Sequence, residues 1–165
     1  MLDFRFTDNT NSIGINTITH LLEGERLWMT KADYPGHEAW IEKITHEIEQ
    51  NKKHVIVAWS SFQPVGVVVY QKHKSLPQTL EIKNLTVLPQ AKGRYVASFL
   101  LRNAEIEGST NHYSDITQVI TDTKLANQAV IAFAQAQHYK VTQIKNIDTN
   151  FTHNGELDVV LSKSL

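Results

Sequence analysis

Val87-Leu-Pro-Gln-Ala-Lys-Gly-Arg-Tyr-Val-Ala-Ser-Phe-Leu-Leu101 passes from strand chemistry to helix chemistry within a few residues. Leu80 to Leu88 reads as a strand that Pro89 ends. Gly93 to Glu107 reads as a helix with Val96, Leu100, Leu101 and Ala104 inward and Gly108 as its stop. The start of a helix exposes unpaired N–H groups and the positive end of the dipole, which together make an anion site. Small and basic residues there, Lys92, Gly93, Arg94, Ala97 and Ser98, point to phosphate.

Before this segment, Leu2 to Thr7 alternates as a half-buried strand, and Asn11-Ser12 can cap a helix carrying Ile13, Ile15, Ile18, Leu21 and Leu22 up to Gly24. Trp28 to Gly36 has large apolar side chains without a period and reads as a loop. Trp40, Ile41, Ile44 and Ile48 mark one buried face of a second helix, which closes at Asn51-Lys52-Lys53, a solvated helix end. Val55 to Trp59, Gly66 to Tyr70 and Leu80 to Leu88 follow with connections short enough for an antiparallel meander, the first turn spanning Ser60 to Pro64.

After the central segment the pattern repeats, with Val119-Ile120 as a short strand and Leu125 to Gln137 as a helix. Strand, helix, strand, helix implies a right-handed parallel crossover. Val141 to Ile147 and Leu157 to Leu161 finish the chain as a terminal strand pair. The expected fold is mixed α/β (α+β), one domain over residues 1–165, with a mostly antiparallel central sheet of about seven strands and about four helices.

Composition narrows the function. The length of 165 residues fits one domain, and 41% hydrophobic with 20% charged residues is globular composition. A net charge of -1 supplies no broad positive field, which argues against nucleic acid as the main ligand. The absence of cysteine removes disulfides, thiolate nucleophiles and sulfur-ligated metals together. Asp3 and Arg5 interrupt what a signal peptide would need, and no apolar run approaches membrane-spanning length. The expectation is an untargeted cytoplasmic protein without a membrane partner. A homodimer is compatible with the sequence, which carries no signal for or against it. Eight histidines invite a metal, but no HExxH-type spacing appears, so none is expected.

The central segment resembles the pyrophosphate loop of the GNAT superfamily, the acyl-CoA-dependent N-acyltransferases. Their pattern runs Val-x-Pro, then Arg or Gln-x-x-Gly-x-Gly or Ala, then Leu-Leu. Val87 and Pro89 match, Lys92 takes the Arg or Gln place, Ala97 the last small position, and Leu100-Leu101 the leucine pair. Tyr95 stands where glycine is usual, because the pyrophosphate approaches the backbone closely there. Asn127 opens a stretch similar to the family's Asn-x-x-Ala-x-x-Phe-Tyr segment, with Phe133 and Tyr139 in register, and Leu157 to Leu165 resembles its last strand. The order of elements agrees over nearly the whole chain.

The resemblance implies acetyl-CoA as co-substrate, a primary amine of a small molecule or polypeptide as acceptor, and direct attack on the thioester. It assigns coenzyme contacts to Leu85, Val87, Lys92, Gly93, Arg94, Tyr95, Ala97, Ser98 and Asn127. Glu81, six residues before Val87, stands where the family often carries its base, and partial burial would raise its pKa to suit. A charged residue on the solvent face of a strand is the plain alternative.

Asn84, on the opposite parity from Glu81, is a candidate for substrate or for a bond within the sheet. Trp28, Met29 and Tyr34 lie in the loop that commonly lines the acceptor pocket, or they plug the core edge. The tyrosine that protonates the leaving thiolate in many members is replaced by Ala134; Tyr139 and Tyr113 are the substitutes on offer, but buried packing is the better account of both. Two other functions stay open: a catalytically degenerate acyl-CoA-binding or regulatory module, and an unrelated α/β binding domain.

Overall fold

Val65 to Tyr70 are six consecutive buried residues, five of them apolar and the sixth Gly66, which is the mark of a strand covered on both faces. A computed structural model of the chain describes residues 4–7, 13–23, 36–145 and 157–165. In chain order the elements are β1 (Phe4–Thr7), α1 (Ile15–Glu23), α2 (His37–Glu49), β2 (His54–Ser60), β3 (Gln63–Lys72) and β4 (Thr79–Val87). Then come α3 (Val96–Glu107), β5 (Gln118–Lys124), α4 (Gln128–Ala136), β6 (Lys140–Lys145) and β7 (Asp158–Ser164). The strands form one seven-stranded sheet in the order β1-β2-β3-β4-β5-β7-β6. All neighbours are antiparallel except β4 and β5, which α3 joins as a parallel crossover.

Each face of the sheet has its own core. Ile56, Val68, Tyr70, Leu80, Ile82 and Leu85 pack under α3 and α4. Val55, Val57, Val67 and Val69 pack under α1 and α2, with Ile18, Leu21, Ile44 and Ile48 from the helices. Gly66 lets α3 approach the sheet: a Cβ there would stand 3.0 Å from both Leu100 Cδ1 and the Thr86 carbonyl oxygen.

Several boundaries differ from expectation for local reasons. Pro64, read as turn, lies inside the β2–β3 ladder opposite Trp59, at the register shift where a residue without an N–H is tolerated. The turn shrinks to Ser61-Phe62. The helix expected from Gly93 starts at Val96, because Gly93 (φ +73°) and Tyr95 (φ +61°) both take left-handed backbone. β5 runs well past Ile120, its polar Thr121 to Lys124 being held by pairing with β7. Lys53, expected in a solvated helix end, is only 5% exposed and bonds to Glu47 of α2 at 3.1 Å. Trp28, Met29 and Tyr34 lie outside the described residues, as does the expected strand end at Ile147.

Two polar clusters tie α3 to the rest. Glu105 near its end accepts from Tyr139 (2.8 Å) and pairs with Lys163 of β7 (2.8 Å). Below it, in the π-helical turn Gly108–His112 and the next residue, His112 stacks on His54 at 3.8 Å and 10°, His54 Nε2 meets Tyr113 Oη at 3.0 Å, and Tyr70 Oη meets His112 Nδ1 at 3.1 Å. Burial, then the neighbouring His112, lower His54 from 6.5 to about 4.

Two outcomes follow for stability. Gly66→Ala should cost about 1–3 kcal/mol in urea unfolding, because a carbonyl oxygen cannot give way to the added methyl as a side chain could. His54 stays neutral in the fold but gains a proton on unfolding between pH 6.5 and about 4. Its contribution is therefore complete above that window and is lost as pH falls through it, by at most about 1.4 kcal/mol per pH unit. Urea midpoints at pH 7, 6 and 5 should decline less steeply in His54→Gln than in wild type.

Candidate active site

The parallel ladder between β4 and β5 is short. It pairs Thr79, Leu80 and Glu81 with Gln118, Val119 and Ile120, and only a Thr121 hydroxyl bond to the Ile82 carbonyl (3.3 Å) continues it. β4 then runs on to Val87 and β5 to Lys124 without pairing to each other, so among the described residues a cleft opens between them and one edge of β4 is free. An unpaired strand edge accepts an extended ligand by main-chain bonds. Leu85 and Val87 are buried in the core under α3, so backbone is all they offer to that cleft.

The Val87–Leu101 segment stands at the mouth. Pro89–Ala91 forms a short 3-10 turn, closed by the Lys92 N–H on the Pro89 carbonyl at 3.2 Å, so the Lys92 amide is already engaged. Gly93 has nothing within 4 Å of where a Cβ would be, and Lys92, Gly93 and Arg94 are exposed. Tyr95 is the N-cap of α3 in left-handed conformation, gives no side-chain cap, and is 77% exposed, so its side chain is turned outward. The first α3 amide with a carbonyl partner in the turn before it is Phe99, on Tyr95 at 3.0 Å. Among the described residues the amides of Val96, Ala97 and Ser98 therefore have no backbone partner, which is the arrangement that favours an anion at a helix start. Across the cleft Asn127 caps α4 through its carbonyl, which accepts from Val130 and Ile131, while its side-chain amide reaches Thr123 Oγ1 at 3.4 Å.

Glu81 is the last residue of β4 paired with β5, and it lies on the α2 face of the sheet. Its side chain is 13% exposed, with Oε1 2.9 Å from Lys83 Nζ and Oε2 2.7 Å from Gln71 Nε2. The expected rise in its pKa does not occur. Burial pushes the carboxyl up, but the Lys83 charge and hydrogen bond, the Gln71 bond and the His73 charge outweigh it and hold it below its ordinary range. The solvent-face alternative fails as well, since the carboxylate is enclosed and bonded on both oxygens.

Asn84 does not lie opposite to Glu81. The register of β4 against β3 shifts between Val69 and Tyr70, so Lys83 is a bulge residue and Glu81 and Asn84, opposite Gln71 and Val69, share a face. Asn84 is fully buried, its Oδ1 accepts from Thr86 (2.8 Å), and its Nδ2 has no hydrogen-bond partner among the described residues. Tyr139 and Tyr113 are committed elsewhere, to Glu105 and to His54, and burial with the Glu105 charge raises the Tyr139 phenol further. Ala134 is on the buried face of α4, in the core.

What the sequence missed is the polar row that backs Glu81: Gln71, Lys53 and Glu47, on β3, at the start of β2 and on α2. The only signal was Gln71 closing an apolar strand. A separate cavity of about 850 Å³ opens against α1 and α2 beside Thr19, Glu42 and His46 and contains none of the expected site residues. Among the described residues no group of three or more histidines and carboxylates could hold a metal, and no helix is long and apolar enough to cross a membrane.

A split between two strands with a helix start at its mouth is a feature of the fold, and that fold is shared with known proteins. The chain belongs to the acetyltransferase (GNAT) family, whose model matches residues 17–139. No curated protein matches the chain. Among solved structures it is similar to a GNAT family acetyltransferase from Elizabethkingia anophelis with acetyl-CoA bound, at 16% identity and a TM-score of 0.68, covering 98% of each chain. It is also similar to a variant of spermidine N-acetyltransferase from Vibrio cholerae (10% identity, TM-score 0.71, 98% and 93% covered). A third is the ribosomal-protein-S18-alanine N-acetyltransferase from Escherichia coli (12%, 0.68, 98% and 94%). At such identities the likeness establishes the fold, and the two acceptors named differ in kind.

Proposed function

We propose that this protein transfers an acetyl group from acetyl-CoA to a primary amine. The observation that carries the reading is the conjunction at one cleft of open α3 amides, a free β4 edge and a carboxylate at the point where β4 and β5 part. The diphosphate would lie on the amides of Gly93 to Ser98, with Lys92 and Arg94 adding charge and Asn127 on the far wall. The pantetheine arm would run along the open edge beside Leu85 and Val87.

The amine nitrogen attacks the thioester carbonyl carbon, the C–N bond forms, and the C–S bond breaks to release coenzyme A thiolate. The proton lost by nitrogen passes to Glu81 directly or through one water. With Ala134 in the usual acid position, the thiolate takes its proton from solvent. Because Lys83 and Gln71 hold Glu81 ionised, it is ready as a proton acceptor at neutral pH, and its charge attracts an incoming ammonium. Asn84 Nδ2, a buried donor without a partner among the described residues, is proposed to take an acceptor oxygen of the substrate. Trp28, Met29 and Tyr34 are proposed for the acceptor pocket on family resemblance alone.

A second reading, a coenzyme-binding module without turnover, is favoured by the Lys83–Glu81 ion pair, which weakens the base. Acetyl-CoA at about a hundred times its dissociation constant should add roughly 2.7 kcal/mol to stability under either reading. No shift in melting temperature at saturation would remove both. Thiol release over a panel of amines and peptides separates them. For an enzyme, Glu81→Gln should lower kcat/KM at neutral pH by about a hundredfold or more while the acetyl-CoA-induced shift persists.

A further inference from the structure

We infer that Lys53 and Gln71 are positioning residues for Glu81, with the Lys53 ammonium fixing the Gln71 amide so that its N–H end holds the carboxylate. This rests on the reading of Glu81 as proton acceptor and adds the residues that set its aim and proton affinity.

A glutamine amide can present either its oxygen or its nitrogen, and beside a carboxylate only the nitrogen is favourable. Lys53 removes the choice. An ammonium has three donors and no acceptor, and Lys53 Nζ donates to Gln71 Oε1 from a site only 5% exposed, leaving Gln71 Nε2 to donate to Glu81 Oε2 at 2.7 Å. Lys53 is itself anchored to α2 through Glu47 at 3.1 Å. With Lys83 on Oε1 at 2.9 Å, each Glu81 oxygen carries one donor and the carboxylate cannot turn freely.

The charged groups facing Glu81 are Lys83 on its own strand, Lys53 at the start of β2, His73 after β3 and Asp122 on β5. Beyond Lys53, Glu47 is faced by Lys43 and Lys74. Burial draws Lys53 below its ordinary range while Glu47 opposes the shift. Among the described residues only Lys83 and Gln71 hydrogen-bond to the carboxylate, so Lys53 acts mainly through Gln71.

The test is a side-chain carboxyl ¹³C titration of Glu81 by NMR in the full chain, for wild type, Gln71→Met, Lys53→Met and the double variant. Removing a donor from a carboxylate raises its pKa, so the midpoint should rise by about one unit, a tenfold gain in proton affinity, in Gln71→Met. Lys53→Met should give a similar rise, and the double variant should resemble Gln71→Met alone. A midpoint unmoved in Gln71→Met overturns the inference, as do fully additive shifts. Gln71→Met replaces a neutral side chain by one of similar length and carries the test should Lys53→Met, which strands Glu47, fail to fold.

Thiol-release profiles keep the two claims apart. The acid limb of kcat/KM should move up with the NMR midpoint while KM for acetyl-CoA stays unchanged. A moved midpoint with an unmoved limb upholds the Lys53–Gln71 relay and removes Glu81 as the base.

Discussion

The structure depends on a ladder that stops. β4 is tied to β3 along its whole length and β5 to β7 along its own, but β4 and β5 meet only from Thr79 to Glu81. Two well-paired half-sheets, each with its own right-handed twist, are joined at one end and diverge at the other. The joint is reinforced where it exists, by Gln118 Nε2 on Thr79 Oγ1 at 2.8 Å and by the Thr117 amide on the Gln78 carbonyl at 2.9 Å. The cleft is therefore a built consequence of strand pairing, and Glu81 sits at its apex because it is the last residue the joint can pair.

The bulge at Lys83 is the second constraint, and it follows from packing. Without an extra residue, strict alternation would carry Leu85 and Val87 out of the core that α3 covers and put Asn84 into it. With Lys83 unpaired, Leu80, Ile82, Leu85 and Val87 all face α3, and Glu81, Asn84 and Thr86 all face α2. One residue thus supplies the core with leucine and valine, the opposite face with polar side chains, and Glu81 with a cation two positions away.

Much of this was legible in the sequence, and the exceptions have physical causes. Periodicity located the described helices, and the Val87–Leu101 segment fixed the order of elements, because apolar faces and helix starts depend on neighbours in the chain. Glu81 and Asn84 have opposite parity only if alternation is carried straight through Lys83; the apolar positions change phase there, from Leu80 and Ile82 to Leu85 and Val87, and that change is the one local trace of the bulge. The direction of the Glu81 shift was misread for a related reason. Burial could be guessed, but the donors that overrule it come from Gln71 and a bulged Lys83. Lys53 looked like a solvated helix end because its partners lie on α2 and on β3.

Tyr95 shows how little the loop's shape owes to the residue that usually makes it. A left-handed tyrosine costs about 1–2 kcal/mol relative to glycine, and nothing local offsets it, since its side chain is outward and caps nothing. The conformation persists because both flanks are fixed. Pro89 and the buried Ala91 seat the turn, while Val96 and Leu100 are buried against a sheet that Gly66 allows close. Between those anchors the chain must reverse within four residues, and Gly93 and Tyr95 divide the left-handed turns it needs. A backbone kept in this form at an energetic penalty, with the helix amides behind it open, is strain of the kind held at ligand-binding loops, where the surrounding packing over-determines a geometry that the residue alone would not choose.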